Sequence, residues 1–143
     1  MYNFFTVCKY DKSKYLLQSY LSIKKFYKLV NYYLVIPDYE VYKFKELFKK
    51  NNIEDINLIV ESTYLTLEKF KEIYRNNLVN LNLTSDEGSE LLPWYYQQAL
   101  KLSFCFDSSI KGKIVMIDAD TILLRKVEFS NIMWVPSFRN MLN

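Results

Sequence analysis

The sequence predicts an α/β chain whose mostly parallel sheet is flanked by helices, and three observations carry that prediction. Short β-branched and aromatic runs alternate with segments whose apolar residues recur at helical spacing, and the pair repeats three times in the first half of the chain. The strand-like runs are largely apolar, as strands covered on both faces are, whereas a sheet with one wet face alternates. Two glycines and three prolines leave too few tight turns for a sandwich or barrel of many short strands.

Phe4-Phe5-Thr6-Val7-Cys8 reads as the first strand. From about Lys12, residues Leu16, Tyr20, Ile23 and Tyr27 share one helical face, with Asp11 or Ser13 available as N-cap. Tyr32-Tyr33-Leu34-Val35-Ile36 is the second strand, closed by Pro37, which cannot continue a central ladder. Asp38 is expected to cap the next helix, whose apolar face is Val41, Phe44 and Phe48. Glu40 in its first turn and Lys49-Lys50 in its last match the helix dipole, and Asn51-Asn52 ends it. Ile56-Asn57-Leu58-Ile59-Val60 is the third strand, followed by Thr66 as cap of a helix carrying Leu67, Phe70 and Tyr74. Such alternation implies parallel pairing through right-handed crossovers.

Asn76 to Glu90 reads as a polar connection, with Thr84-Ser85-Asp86-Glu87-Gly88-Ser89 as its loop signal. Pro93 suits the first turn of a helix running to about Phe104, with Tyr95, Ala99, Leu102 and Phe106 expected on its apolar face and Gln97, Gln98 and Lys101 also riding on it. After Lys111-Gly112 an extended segment is expected from Lys113 to Leu124, then Arg125-Lys126 and the short apolar piece Val127-Glu128-Phe129. On this reading residues 1–130 form one α/β domain. The apolar Ile132-Met133-Trp134-Val135 lacks an evident partner, so 131–143 reads as the start of a missing C-terminal region, or else as a segment through which copies of the chain associate.

Composition excludes several classes of function. Half the residues are hydrophobic and 24% charged, which is a globular and not a disordered balance. The net charge of +3 is spread along the chain, so no nucleic-acid partner is called for, and membrane contact is at most peripheral. No stretch approaches the ~18 apolar residues of a membrane span, and the N-terminus lacks the basic start of a signal peptide. Cys8 and Cys105 read as buried, reduced thiols, and a cytoplasmic location follows. The chain has no histidine, which removes His triads, His general bases and His-containing zinc sites.

What remains is carboxylate chemistry, and Asp118 and Asp120 are its focus. They end the apolar run Ile114-Val115-Met116-Ile117, and a spacing of i, i+2 on an extended segment sets both carboxylates on one face. The carboxyl end of a buried strand is where open α/β sheets hold ligands, and hard oxygen donors suit Mg²⁺ or Mn²⁺.

At these residues the sequence resembles the GT-A glycosyltransferases, in particular retaining enzymes of the glycogenin and bacterial lipopolysaccharide galactosyltransferase type. Phe5-Thr6-Val7-Cys8-Lys9-Tyr10-Asp11, with Tyr15 and Ser22-Ile23 beyond it, is similar to the family's first strand, nucleotide-contacting turn and first helix. Tyr33-Leu34-Val35-Ile36-Pro37-Asp38 resembles its second strand. Trp94-Tyr95-Tyr96-Gln97-Gln98-Ala99-Leu100-Lys101-Leu102 resembles the helix before the Asp-x-Asp strand, with Lys101 where such families often place an Arg or Lys.

The resemblance implies a Rossmann-like GT-A nucleotide-sugar-binding half. It implies Mn²⁺ or Mg²⁺ held directly by Asp120, with Asp118 on the ribose and the metal. A nucleotide-sugar, UDP-sugar first, would meet Thr6, Asp11, Gln97, Gln98, Lys101, Asp118 and Ala119. The acceptor would be a glycan or lipid-linked molecule of bacterial surface polysaccharide or lipopolysaccharide. Such enzymes complete the metal site with a His, Asp or Asn far beyond the Asp-x-Asp and build the acceptor site in a C-terminal half, neither of which is in this sequence. Two alternatives stand beside it. Ile117-Asp118-Ala119-Asp120-Thr121 also resembles the nucleophile motif of haloacid-dehalogenase-type phosphatases, although that family opens with the motif. The other is a noncatalytic nucleotide-binding or interaction module.

Overall fold

The computed structural model describes residues 1–80 and 91–129. The expected loop at Thr84–Ser89 and the C-terminal region 131–143, with its apolar Ile132–Val135, lie outside the described residues. Four strands, β1 (Tyr2–Val7), β2 (Val30–Ile36), β3 (Ile56–Val60) and β4 (Lys113–Met116), form one sheet in the order β3-β2-β1-β4. Every pair is parallel, as the alternation predicts. The helices are α1 (Ser13–Phe26), α2 (Val41–Lys50), α3 (Leu67–Asn80) and α4 (Leu92–Cys105). The architecture is Rossmann-like.

Period-two alternation along the strands divides the core into two layers. Phe4, Cys8, Leu34 and Ile36 point to one face and pack with Leu16, Tyr20 and Ile23 of α1 and Phe44 and Phe48 of α2. Phe5, Val7 and Val35 point to the other and pack with Tyr96, Leu100 and Phe104 of α4 and with Leu67 and Phe70 of α3. Strands covered on both faces need no polar alternation, which is why they read as apolar runs.

β1 starts two residues earlier than the apolar run suggests, because Tyr2 and Asn3 pair with both neighbouring strands. The polar Asn3 and Asn31 are tolerated there as a matched pair. Asn31 Nδ2 donates to Asn3 Oδ1 at 2.8 Å, and Asn3 Nδ2 donates to the Lys111 carbonyl at 2.8 Å. A buried amide with its partners in place costs little.

Two expected caps are replaced by other contacts. A 3-10 turn at Tyr10–Lys12 leads into α1, so neither Asp11 nor Ser13 makes a capping hydrogen bond. Asp38 does not cap α2; its carboxylate accepts the Ser62 N–H at 3.1 Å and the Ser62 hydroxyl, tying the end of β2 to that of β3. Thr66 caps α3 as predicted, its hydroxyl accepting the Lys69 N–H at 3.2 Å. α3 continues past Asn76 to Asn80, since no glycine or proline intervenes to stop it.

The buried stripe of α4 is Tyr96, Leu100 and Phe104, not the expected Tyr95, Ala99, Leu102 and Phe106. Phe106 is 84% exposed, whereas the Phe104 ring stacks on Phe5 at 3.9 Å. α4 is apolar on most sides, so its periodicity does not single out one face. The same rotation corrects the reading of Cys105, which is exposed; Cys8 is buried, and both thiols are free. Among the described residues, no helix is long and apolar enough to cross a membrane.

The segment carrying the aspartates is also shorter as a strand than predicted. β4 ends at Met116; the Ile117 N–H still donates to the Phe5 carbonyl at 3.0 Å, and then Asp118 to Thr121 closes a turn through Thr121 N–H to Asp118 O at 3.0 Å. The chain then straps across α1. Leu123 N–H donates to Ser22 Oγ at 2.9 Å, and Val127 N–H donates to the Tyr27 hydroxyl at 2.8 Å. Phe129 closes the strap against the rings of Tyr2, Phe4 and Tyr27.

Candidate functional site

From β1 the chain steps outward to β2 and then β3, and only afterwards returns to the other side of β1 as β4. The connections leaving β1 and β4 therefore diverge, and that reversal opens a crevice at the carboxyl ends of the strands. A cavity of 790 Å³ lies there. It is lined by Val7, Cys8 and Lys9 at the end of β1, by Glu61 directly after β3, and by Asp118, Ala119 and Asp120 after β4. Asp11, Lys12 and Tyr15 complete one wall, and Trp94, Tyr96, Gln97 and Leu100 of α4 form the other.

α4 crosses the strand ends and fastens to three of them. The Tyr96 hydroxyl sits 3.2 Å from Glu61 Oε2 and donates to the Leu65 carbonyl at 2.7 Å, both beyond β3. Gln97 Nε2 donates to the Val7 carbonyl of β1 at 3.4 Å. Lys101 Nζ, about one turn along at the β4 side, meets Asp118 Oδ1 at 2.5 Å. The Lys101 side chain is 11% exposed and that of Asp118 61%, so a nearly buried ammonium holds a carboxylate that faces solvent. A lysine in such a place needs its counter-charge.

The residues singled out from sequence are distributed as follows. Asp11, Gln97, Asp118, Ala119 and Asp120 line the cavity. Lys101 lies behind the lining and reaches the site through Asp118. Gln98 is outside the cavity, and Thr6 is fully buried. The Thr6 hydroxyl donates to the Ile117 carbonyl, so it fixes the residue before Asp118 and is not presented to a ligand. Asp118 and Asp120 converge on the cavity through a turn and not through strand alternation.

Glu61 escaped the sequence reading. Its signal is positional: it is the first residue after a strand, as Cys8 is after β1, and in an all-parallel sheet such residues gather at one edge. Burial pushes the Glu61 carboxyl above its usual range, with Asp38 and Glu40 adding to the effect, while the Tyr96 hydroxyl and Lys9 pull it back. Burial, with Asp11 and Glu40, pushes the Cys8 thiol up to about 12. A thiol held protonated is no nucleophile at neutral pH.

Asp118 Oδ2 and the Asp120 carboxylate have no protein partner among the described residues. No group of three or more His, Cys, Asp or Glu is arranged to hold a metal ion among those residues. Two carboxylates nevertheless suit Mg²⁺, which commonly takes one or two from the protein and completes its shell with water and substrate phosphates.

Fold and site together define a Rossmann-like α/β protein with a ligand-sized crevice at the switch point of its sheet, walled by carboxylates, lysines and aromatic rings. The chain belongs to the family of unknown function DUF6492, whose pattern matches residues 8–137. No curated protein and no solved structure matches it.

Proposed function

We propose that the chain is a GT-A-type glycosyltransferase, with residues 1–130 as its nucleotide-sugar-binding part. It binds a nucleotide-sugar, UDP-sugar being the first donor to test, and passes the sugar to a glycan or lipid-linked acceptor of polysaccharide synthesis. The observation that carries this reading is the pair Asp118 and Asp120 after β4, beside Lys101, in a cavity of 790 Å³ at the switch point. That volume is in the range of cofactor and nucleotide sites.

Mn²⁺ or Mg²⁺ would be held by Asp120 and by the Asp118 oxygen that Lys101 leaves free. When bound, the cation neutralises the diphosphate and stabilises the charge that builds on the leaving nucleoside diphosphate. Lys101 orients Asp118 and adds positive charge near the same point. Trp94, backed by the buried Tyr96 and Leu100, supplies apolar surface for a base and ribose. The phosphatase alternative is disfavoured because its motif opens a chain, whereas here it follows the last of four described strands.

Calorimetric titration with UDP tests the reading. Binding is expected with Mn²⁺ or Mg²⁺ and to fall at least about tenfold with chelator, a loss of roughly 1.4 kcal/mol. Asp120→Asn should lose the metal-dependent part while stability changes by no more than about 0.5 kcal/mol, since the side chain is exposed. Equal binding with and without metal would remove the cation from the proposal. Metal-dependent UDP binding without transfer from any UDP-sugar would leave the noncatalytic module.

A further inference from the structure

Glu61 is one of four charged residues of the cavity, with Lys9, Asp11 and Lys12, that the diphosphate reading leaves unused. It follows β3, and Asp118 follows β4 at the opposite edge of the described sheet. Three strand spacings separate those edges, so the two carboxylates mark the ends of a crevice about 14 Å long. With its diphosphate at the Asp118 end, an extended nucleoside diphosphate brings its base to Glu61.

The bonding at that end is incomplete. Among the described residues the Glu61 carboxylate has one hydrogen-bonding neighbour, the Tyr96 hydroxyl at 3.2 Å, and that hydroxyl also faces the Leu65 carbonyl at 2.7 Å. A phenol has one proton to give, and the shorter contact takes the larger share. Glu61 is half-buried, so an acceptor partly stripped of water is left on the cavity wall short of a donor. Trp94, about half exposed, brings an aromatic ring to the cavity, and a ring stacked on a base is worth about 1–3 kcal/mol.

Resting on the donor reading above, we infer that Glu61 reads the base and selects those with a ring N–H on the pairing edge, uracil and guanine, over cytosine and adenine. Uracil N3–H and guanine N1–H donate to a carboxylate. The ring nitrogen at the same place in cytosine (N3) and adenine (N1) carries a lone pair, which a carboxylate repels. Discrimination of this kind comes from the unfavourable contact as much as from the favourable one. Guanine adds its exocyclic amino group beside N1–H and offers a donor to each carboxylate oxygen.

The test compares UDP, GDP, CDP and ADP by calorimetry with Mg²⁺ present, on the intact chain and on Glu61→Gln. UDP and GDP are expected to bind at least about tenfold tighter than CDP and ADP to the intact chain. In Glu61→Gln the gap should close to about threefold or less, because a carboxamide both donates and accepts. Equal binding of all four by the intact chain overturns the inference without any variant and leaves the donor reading standing. So does a preference that survives in Glu61→Gln and disappears in Asp11→Asn, which gives the role to Asp11. Failure to bind any of the four overturns the donor reading and this inference together.

Discussion

Asp55 is where single side chains make the fold depend on pH. It accepts from the Tyr20 hydroxyl and from Lys24 Nζ at 2.5 Å, joining α1 to the approach to β3. Burial raises its carboxyl, but the bonds from Lys24 and Tyr20 outweigh that and hold it below the usual 3.8. A carboxyl with a depressed folded-state value contributes stability that is present above 3.8 and lost as pH falls through the folded value. The side chain is 47% exposed, so solvent screens the pair and its contribution is about 1 kcal/mol or less. Asp55→Asn should therefore unfold at lower urea than the parent at pH 7, and the two curves should converge in acid. A gap that persists at acid pH would assign the loss to packing.

At the scale of elements, α4 separates what the sequence makes legible from what it does not. The strands were readable because each is a largely apolar run bounded by polar residues, and α1 and α2 because each carries a regular apolar stripe, Leu16, Tyr20 and Ile23 in one and Phe44 and Phe48 in the other. In α4 the apolar residues surround the helix, and only contact with Phe5, Val7 and Val35 decides that Tyr96, Leu100 and Phe104 face in. The two phenylalanines near its end give a direct check. Phe104→Ala should cost about 3–5 kcal/mol, since it removes a buried ring stacked on Phe5, whereas Phe106→Ala should stay within about 0.5 kcal/mol. Comparable losses in denaturant unfolding would contradict the orientation of the helix. The candidate site divides in the same way. Asp118 and Asp120 were visible as a motif, although the turn that presents them was not. Glu61 has no motif and joins the site only through the order of the strands.

For the molecule as a whole, alternation foretold parallel strands but not the order β3-β2-β1-β4, and the crevice exists because of that order. Nothing local in the sequence distinguishes a fourth strand beside β1 from one beside β3. The position of β4 is set by contacts made across most of the chain, such as Thr6 with Ile117 and Asn3 with Lys111.

The strap after the aspartates bears on how sharply the site is defined before any ligand arrives. A single buried phenol, Tyr27, receives the Val127 N–H at 2.8 Å and donates to the Val127 carbonyl, while Ser22 holds Leu123. The Asp118–Thr121 turn is thus tied down on both sides, by β4 before it and by α1 after it. A segment not already fixed loses about 1–2 kcal/mol of backbone entropy per residue when a ligand orders it. Tyr27→Phe removes the tie at Val127, leaving that of Ser22 to Leu123, without touching a carboxylate. In the metal-dependent titration of UDP its affinity should fall through a more unfavourable entropy with the enthalpy nearly kept, whereas an unchanged entropy would mean that the turn keeps its shape unaided. The conformational freedom of two aspartates is on this account set by a tyrosine at the opposite end of the strap, from which no ligand can be seen.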